Sequence, residues 1–181
     1  MKLLLSTYPR SGQHLLREHI RQRLDVDMEY THKMKHLGYN QIVTIVRDPV
    51  ESITSWVSME LHYQDLDPTR QNQNIHFYID DAVRKYIMFY TYALKHVDIF
   101  FNYIGINDKI NDYIDYLSDT LGIEKVTDKY EDLLYDEIDN RHIVTSRDSK
   151  YYDAILFAVG RTDLSRCEDL YQQALSRCVA L

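Results

Sequence analysis

Cysteine is scarce in this chain: of 181 residues only Cys167 and Cys178 are cysteine. They lie eleven positions apart on one predicted helix, sharing a face but too far separated to bridge. A disulfide framework is therefore excluded, and free thiols in a reducing compartment follow. No His/Cys/Asp/Glu grouping has metal-ligand spacing, so no metal site is expected. Long apolar runs are also missing. Nothing reaches membrane-spanning length, and Leu3-Leu4-Leu5 is too short for the apolar region of a secretory signal. The expected location is the cytoplasm, with no membrane partner. Basic residues are outnumbered, 21 Lys and Arg against 28 Asp and Glu, for a net charge of -7. Such a balance argues against a broad nucleic-acid surface; any anion site must concentrate its arginines in a cleft.

What is present suits one folded domain, 1–181, since a chain of this length buries roughly 70% of its unfolded surface. Hydrophobic residues make up 45%, and no repeat or linker divides the sequence. Tyrosine is abundant at 16 copies, mostly inside predicted elements. Half-buried packing with the hydroxyl facing water is the expectation.

The informative segment is the beginning. An apolar strand over 2–7 runs into Tyr8-Pro9-Arg10-Ser11-Gly12-Gln13-His14, and an amphipathic stretch over 15–24 follows. A buried strand, a basic turn and a helix start make a pocket for an oxyanion. The first helical N–H groups have no intrahelical partner, and the helix dipole adds positive potential there. Arg10 adds a full charge and a planar fork of donors. A nucleotide-triphosphate loop would carry G-x-x-x-x-G-K-[ST]. Here Gly12 stands alone, no lysine follows it, and Gln13-His14 occupy the metal-hydroxyl place. The turn is built for an anion held without a metal ion.

A second strand, 41–46, ends in Arg47. Asp48-Pro49-Val50-Glu51 then gives an N-cap acid, proline at the first helical position and a glutamate three after the cap. Ile53, Trp56, Val57 and Leu61 fall at helical spacing and should face the core, with Ser52, Ser55 and Met59 on another stripe. In open α/β sheets ligands bind at the carboxyl ends of strands, where both Arg10 and Arg47 fall. Arg47 and Ser55 can then converge on one phosphate.

These segments resemble the sulfotransferase family, which uses 3'-phosphoadenosine 5'-phosphosulfate (PAPS). Tyr8-Pro9-Arg10-Ser11-Gly12 looks like its phosphosulfate loop, Y-P-[KR]-S-G. Arg47-Asp48-Pro49-Val50-Glu51-Ser52 followed by Ser55 is similar to its 3'-phosphate motif, an arginine with a serine eight residues on. Thr31-His32 stands where many members place a catalytic histidine, and the run 97–103 before Leu121-Gly122-Ile123 is similar to a later strand, helix and L-G turn. The resemblance covers roughly residues 1–123.

The resemblance implies a three-layer, P-loop-like α/β fold with a central, mainly parallel sheet flanked by helices. It implies metal-free, in-line sulfuryl transfer from PAPS to a hydroxyl or amine acceptor, with adenosine 3',5'-bisphosphate as product. Arg10 would hold the sulfuryl and bridging oxygens. Ser11, Gly12, Gln13 and His14 would bind the 5'-phosphate, Arg47 and Ser55 the 3'-phosphate, and Tyr103 would lie near the adenine. His32 would be the base, with Glu60 and His62 as alternatives. The family's late R-K-G-x-x-G segment is absent; Arg147, in Thr145-Ser146-Arg147-Asp148-Ser149, is the nearest substitute at the phosphate site. Tyr130-Glu131-Asp132-Leu133 copies a family turn in the wrong order. The acceptor is left open among small alcohol, carbohydrate, lipid and peptide tyrosine. Two other readings stand beside this one: a non-catalytic relative that binds nucleotide or a partner, and a metal-dependent P-loop nucleotide kinase.

Further helices are expected over 79–95, with Val83, Ile87, Tyr90 and Leu94 on one face, over 107–121, and over 163–179.

Overall fold

The apolar strings Leu3-Leu4-Leu5 and Ile42-Val43-Thr44-Ile45-Val46 are buried on both faces, as strands inside a parallel sheet must be. The computed structural model describes residues 1–10, 13–63, 75–126 and 151–181. Its strands are β1 (Lys2–Ser6), β2 (Asp27–Thr31), β3 (Gln41–Val46) and β4 (Ile99–Asn102), paired all-parallel in the order β2-β1-β3-β4. The helices are α1 (Gln13–Arg23), α2 (Pro49–Tyr63), α3 (Ile75–His96), α4 (Ile106–Leu121), α5 (Tyr152–Val159) and α6 (Ser165–Leu175). Among the described residues no helix is long and apolar enough to cross a membrane.

Side chains alternate across each strand, and this alternation splits the core in two. Leu3, Leu5, Val43, Ile45, Ile99 and Phe101 pack against α1 and α4. Leu4, Ile42, Val46 and Phe100 pack against α2, α3, α5 and α6. The chain is thus an α/β protein with a four-stranded parallel sheet between helical layers. α4 ends at Gly122, whose φ of 62° is left-handed and whose N–H reaches the Ser118 carbonyl. Glycine adopts that conformation without the clash a Cβ would bring.

Strand order fixes where a ligand belongs. From β1 the chain moves outward to β2, and from β3 it moves the opposite way to β4. The crevice between the carboxyl ends of β1 and β3 is the topological switch point, the usual ligand position in such sheets.

Three expectations are corrected. β2 was not foreseen: it is a short edge strand of largely polar residues, and pairing with β1, from Lys2↔Asp27 to Ser6↔Thr31, makes it a strand. The inward face of α3 is rotated to Ile79, Ala82, Tyr86, Phe89, Tyr90 and Ala93, while Val83, Ile87 and Leu94 are only partly covered. Tyr8, Tyr86, Tyr90 and Tyr113 are fully buried, and their hydroxyls bond to main-chain carbonyls instead of water. A phenol can enter a core on those terms because its one donor is satisfied.

Candidate functional site

The switch-point crevice is built from the turn after β1 upward. Thr7 continues the β1–β2 ladder, its N–H donating to the Thr31 carbonyl at 3.2 Å. Tyr8 then turns inward. Its hydroxyl donates to the Ala82 carbonyl at 3.0 Å, and its ring meets Trp56, Tyr86 and Phe89 edge to face. This anchor fixes the turn that carries Arg10. Arg10 has φ 65°, left-handed for a side chain with a Cβ. Such a conformation costs about 1–3 kcal/mol and persists only where the surroundings impose it.

Arg47 is part of what imposes it. Its Nη1 donates to the Arg10 carbonyl at 2.5 Å, while Arg10 Nε donates to the buried Ser55 Oγ at 3.4 Å. Two hydroxyls on α3 clasp the Arg47 main chain: its N–H donates to Tyr90 Oη at 3.3 Å, and its carbonyl accepts from Tyr86 Oη at 2.9 Å. Burial pushes the pKa of both phenols up, so they stay protonated donors. The Arg47 guanidinium lies over the Tyr103 ring, 4.2 Å from its centroid, and Nε pairs with Glu51 Oε2 at 3.2 Å. Tyr103 is carried there by its own N–H, which bonds to the Val46 carbonyl at 2.8 Å. Arg10, Arg47, Ser55 and Tyr103 therefore form one cluster. Ser55 touches Arg10 in it, where the sequence paired it with Arg47.

A cavity of about 800 Å³ opens beside this cluster. One side is polar, with Arg10, Gln13, His14 and Arg17 from the turn and α1, and Tyr30 and His32 from the end of β2. The lining also includes an apolar set: Trp56 and Met59 from α2, Met88 and Phe89 from α3, and Met34 after His32. The first turn of α1 holds no acidic residue, so nothing there offsets the positive end of the helix dipole. Arg10, Arg17 and Lys85 bring basic groups to the cavity, with Arg17 paired to Glu18 at 2.7 Å and Lys85 to Asp81 at 2.7 Å.

His32 sits at the rim. Nδ1 lies 3.0 Å from the Thr7 carbonyl oxygen, which only accepts, so Nδ1 carries the proton. Nε2 is then the basic nitrogen of the neutral ring, and it meets Tyr30 Oη at 2.7 Å. By surface area the residue is exposed, yet protein crowds the ring. That desolvation lowers its pKa, with partial opposition from the bond to Thr7. His32 is accordingly a neutral imidazole near pH 7.

Of the residues expected from sequence, Arg10, Gln13, His14 and His32 line the cavity and Arg47, Ser55 and Tyr103 flank it. Glu60 also lines it and accepts from the Trp56 indole at 3.0 Å. His62 is exposed at the end of α2 and is not part of the lining. Ser11, Gly12, Arg147, the 130–133 segment and the 64–74 loop lie outside the described residues. Sequence reasoning missed Arg17, Tyr30, Tyr86 and Tyr90. Tyr30 had a signal, since residues two apart on a strand share a face and His32 is two further on; Arg17 had one too, a helical turn after Gln13. The two α3 tyrosines had none, because their partners are main-chain atoms at a distant strand end. Comparison with protein-family models, curated proteins and solved structures finds no match for this chain.

Proposed function

We propose that this chain transfers a sulfuryl group from PAPS to a hydroxyl or amine acceptor, on a P-loop-like sulfotransferase fold. The observation that carries the reading is the joining of the two strand-end arginines at the switch point, Arg47 Nη1 to the Arg10 carbonyl, with His32 facing the adjoining cavity. A donor with phosphate at both ends of a ribose needs separated cations at a fixed spacing, and a rigid link between the two turns supplies one. In this reading Arg47 and Ser55 take the 3'-phosphate and Tyr103 lies near the adenine. The α1 N-terminus, with Ser11, Gly12, Gln13 and His14, takes the 5'-phosphate.

Arg10 then faces the sulfuryl group. Charge grows on the bridging oxygen as the sulfur–oxygen bond breaks, and a fixed guanidinium favours that state over the ground state. Losing one such donor lowers rates by about 10²–10³. His32 Nε2 takes the acceptor's proton as its oxygen attacks sulfur, worth about 10²–10⁴. The acceptor itself occupies the apolar part of the cavity, lined by Trp56, Met59, Met88 and Phe89.

Thermal unfolding tests the donor. Adenosine 3',5'-bisphosphate at 100 times its Kd should add about 2.7 kcal/mol of stability, and ATP with magnesium should add none. Stabilisation by ATP–magnesium alone would replace this reading with a nucleotide kinase. Transfer of labelled sulfate over a panel of alcohols, phenols, sugars and peptide tyrosines, with His32→Ala beside the natural protein, tests the chemistry. Bisphosphate binding without transfer to any acceptor would leave a binding protein.

A further inference from the structure

His32 offers its basic nitrogen not to open space but to a neighbour. Tyr30 is two residues earlier, so both side chains leave β2 and its extension on one face, and both line the cavity. Their rings meet edge to face with centroids 5.2 Å apart, and Tyr30 Oη is 2.7 Å from His32 Nε2. Because the Thr7 carbonyl fixes the proton on Nδ1, the hydroxyl must be the donor in that bond. Tyr30 is braced in turn from α1: Gln13 hydrogen-bonds to its oxygen, the Arg17 guanidinium lies 5.2 Å from its ring centroid, and His14 stands beside it. Burial raises the Tyr30 pKa, against smaller opposing effects of Gln13 and Arg17, so the hydroxyl keeps its proton near neutrality.

We infer that Tyr30 is the positioning residue for His32: its hydroxyl caps Nε2 and aims that nitrogen into the cavity, so that a substrate hydroxyl reaches it by replacing Tyr30. The pair is a property of this chain's own geometry; its use in removing an acceptor proton rests on the sulfuryl-transfer reading. A ring held at both nitrogens, by Thr7 on one side and Tyr30 on the other, cannot turn away from the cavity. A histidine at a rim without these bonds would sample several rotamers. The cap also shields Nε2 from solvent electrophiles until it is displaced.

The test uses the full chain and two variants, Tyr30→Phe and Gln13→Ala, each checked by its amide spectrum for an unchanged fold. Long-range proton–nitrogen spectra of ¹⁵N-histidine-labelled protein above the His32 titration read both ring nitrogens. Expected are a protonated Nδ1 in all three proteins and an Nε2 signal that moves downfield, toward an unbonded nitrogen, in Tyr30→Phe. Diethyl pyrocarbonate should modify His32 several-fold faster in Tyr30→Phe than in the natural protein, with Gln13→Ala between them. An Nε2 signal and modification rate indifferent to Tyr30→Phe would overturn the assignment, as would a natural protein protonated on Nε2. Titration of the natural protein with adenosine 3',5'-bisphosphate reads the proposed function separately. Absent binding there would defeat sulfuryl transfer while the Tyr30–His32 bond still stood or fell on its own spectra.

Discussion

Arg47 Nη1 donates to the main-chain carbonyl of Arg10, across 37 positions of sequence, and so ties the turn after β3 to the turn after β1. One side chain thereby serves two ends of the site. On the proposed reading its charge would meet a phosphate, while its fork holds the left-handed Arg10 that lines the cavity.

Replacing Arg47 by lysine keeps the charge and removes the planar fork. Charge-assisted hydrogen bonds contribute about 1.5–3 kcal/mol, so affinity for adenosine 3',5'-bisphosphate should fall about 10- to 100-fold. Adenosine 5'-phosphate, lacking the 3'-phosphate, should lose much less. Calorimetric titration of both nucleotides decides it. An equal loss for each would show that Arg47 does not meet the 3'-phosphate.

Glu51 occupies Arg47 in the structure, Oε2 to Nε at 3.2 Å, with 47% of its own side chain exposed. Under the proposed function, a dianionic phosphate at Arg47 would have to share the guanidinium with that carboxylate. Exposed ion pairs are worth about 0.2–1 kcal/mol, so Glu51→Gln should tighten bisphosphate binding by about 1.5- to 5-fold. The gain should shrink as salt rises, because screening weakens the competing carboxylate first. Weaker binding in the variant would place the nucleotide elsewhere.

How far the sequence reached depends on whether a feature is local. β1, β3 and the start of α2 were readable because continuous apolar runs and an Asp-Pro-x-Glu cap are each written within six residues. Arg10 and Arg47 followed from them, since a strand's carboxyl end is where open α/β sheets bind ligands. β2 was not readable: Asp27-Met28-Glu29-Tyr30-Thr31 has neither burial nor a strong alternation, and only its pairing with β1 defines it. On α3 the stripe Val83, Ile87, Tyr90 and Leu94 is right at Tyr90 and partly covered elsewhere, while Ile79, Ala82, Tyr86, Phe89 and Ala93 share the buried face. The actual face is chosen by hydrogen bonds from Tyr86 and Tyr90 to Arg47 and Ile45, some 40 positions away. The cavity wall comes from α1, β2, α2 and α3, and no local pattern announces that meeting.

Those tyrosines make a stability prediction. Tyr86→Phe removes the donor to the Arg47 carbonyl while keeping the ring edge to face with Tyr8 and tilted against Tyr90. The cost should be about 1–3 kcal/mol, since a partly buried carbonyl loses its partner. In a domain of this size that lowers Tm by roughly 2–4 °C per kcal/mol. Bisphosphate affinity should weaken as well, because the clasp sets the Arg47 main chain. Unchanged Tm and affinity together would show the clasp to be idle.

The cysteines should be inert in the folded chain. Cys167 is buried and Cys178 partly so, both as free thiols. Desolvation raises them, Cys167 to about 11 and Cys178 to about 12, so the thiolate fraction at neutral pH is negligible. Labelling by a disulfide reagent at pH 7 should be slow in native protein and rapid at both positions in denaturant. Fast native labelling at Cys167 would contradict its burial.

His32 links the site to stability. Its folded pKa lies below the ordinary histidine value, because desolvation outweighs the bond to Thr7. The unfolded chain, with a histidine near about 6.5, therefore takes up a proton at a higher pH than the folded chain does. Between those two values the unfolded state binds more protons, so stability rises with pH through the window and is lost as pH falls from about 6.5 toward the folded pKa. His32→Asn removes the titration, and its amide can still donate to the Thr7 carbonyl. Urea midpoints measured from about pH 7.5 down to about pH 5 should fall more steeply in the natural protein than in this variant. The same shift favours the unprotonated base, so under the proposed function the acid limb of the rate profile should lie at lower pH than for an unperturbed histidine. Parallel midpoint curves would mean that His32 is solvated like a surface histidine, and the base assignment would lose its physical footing.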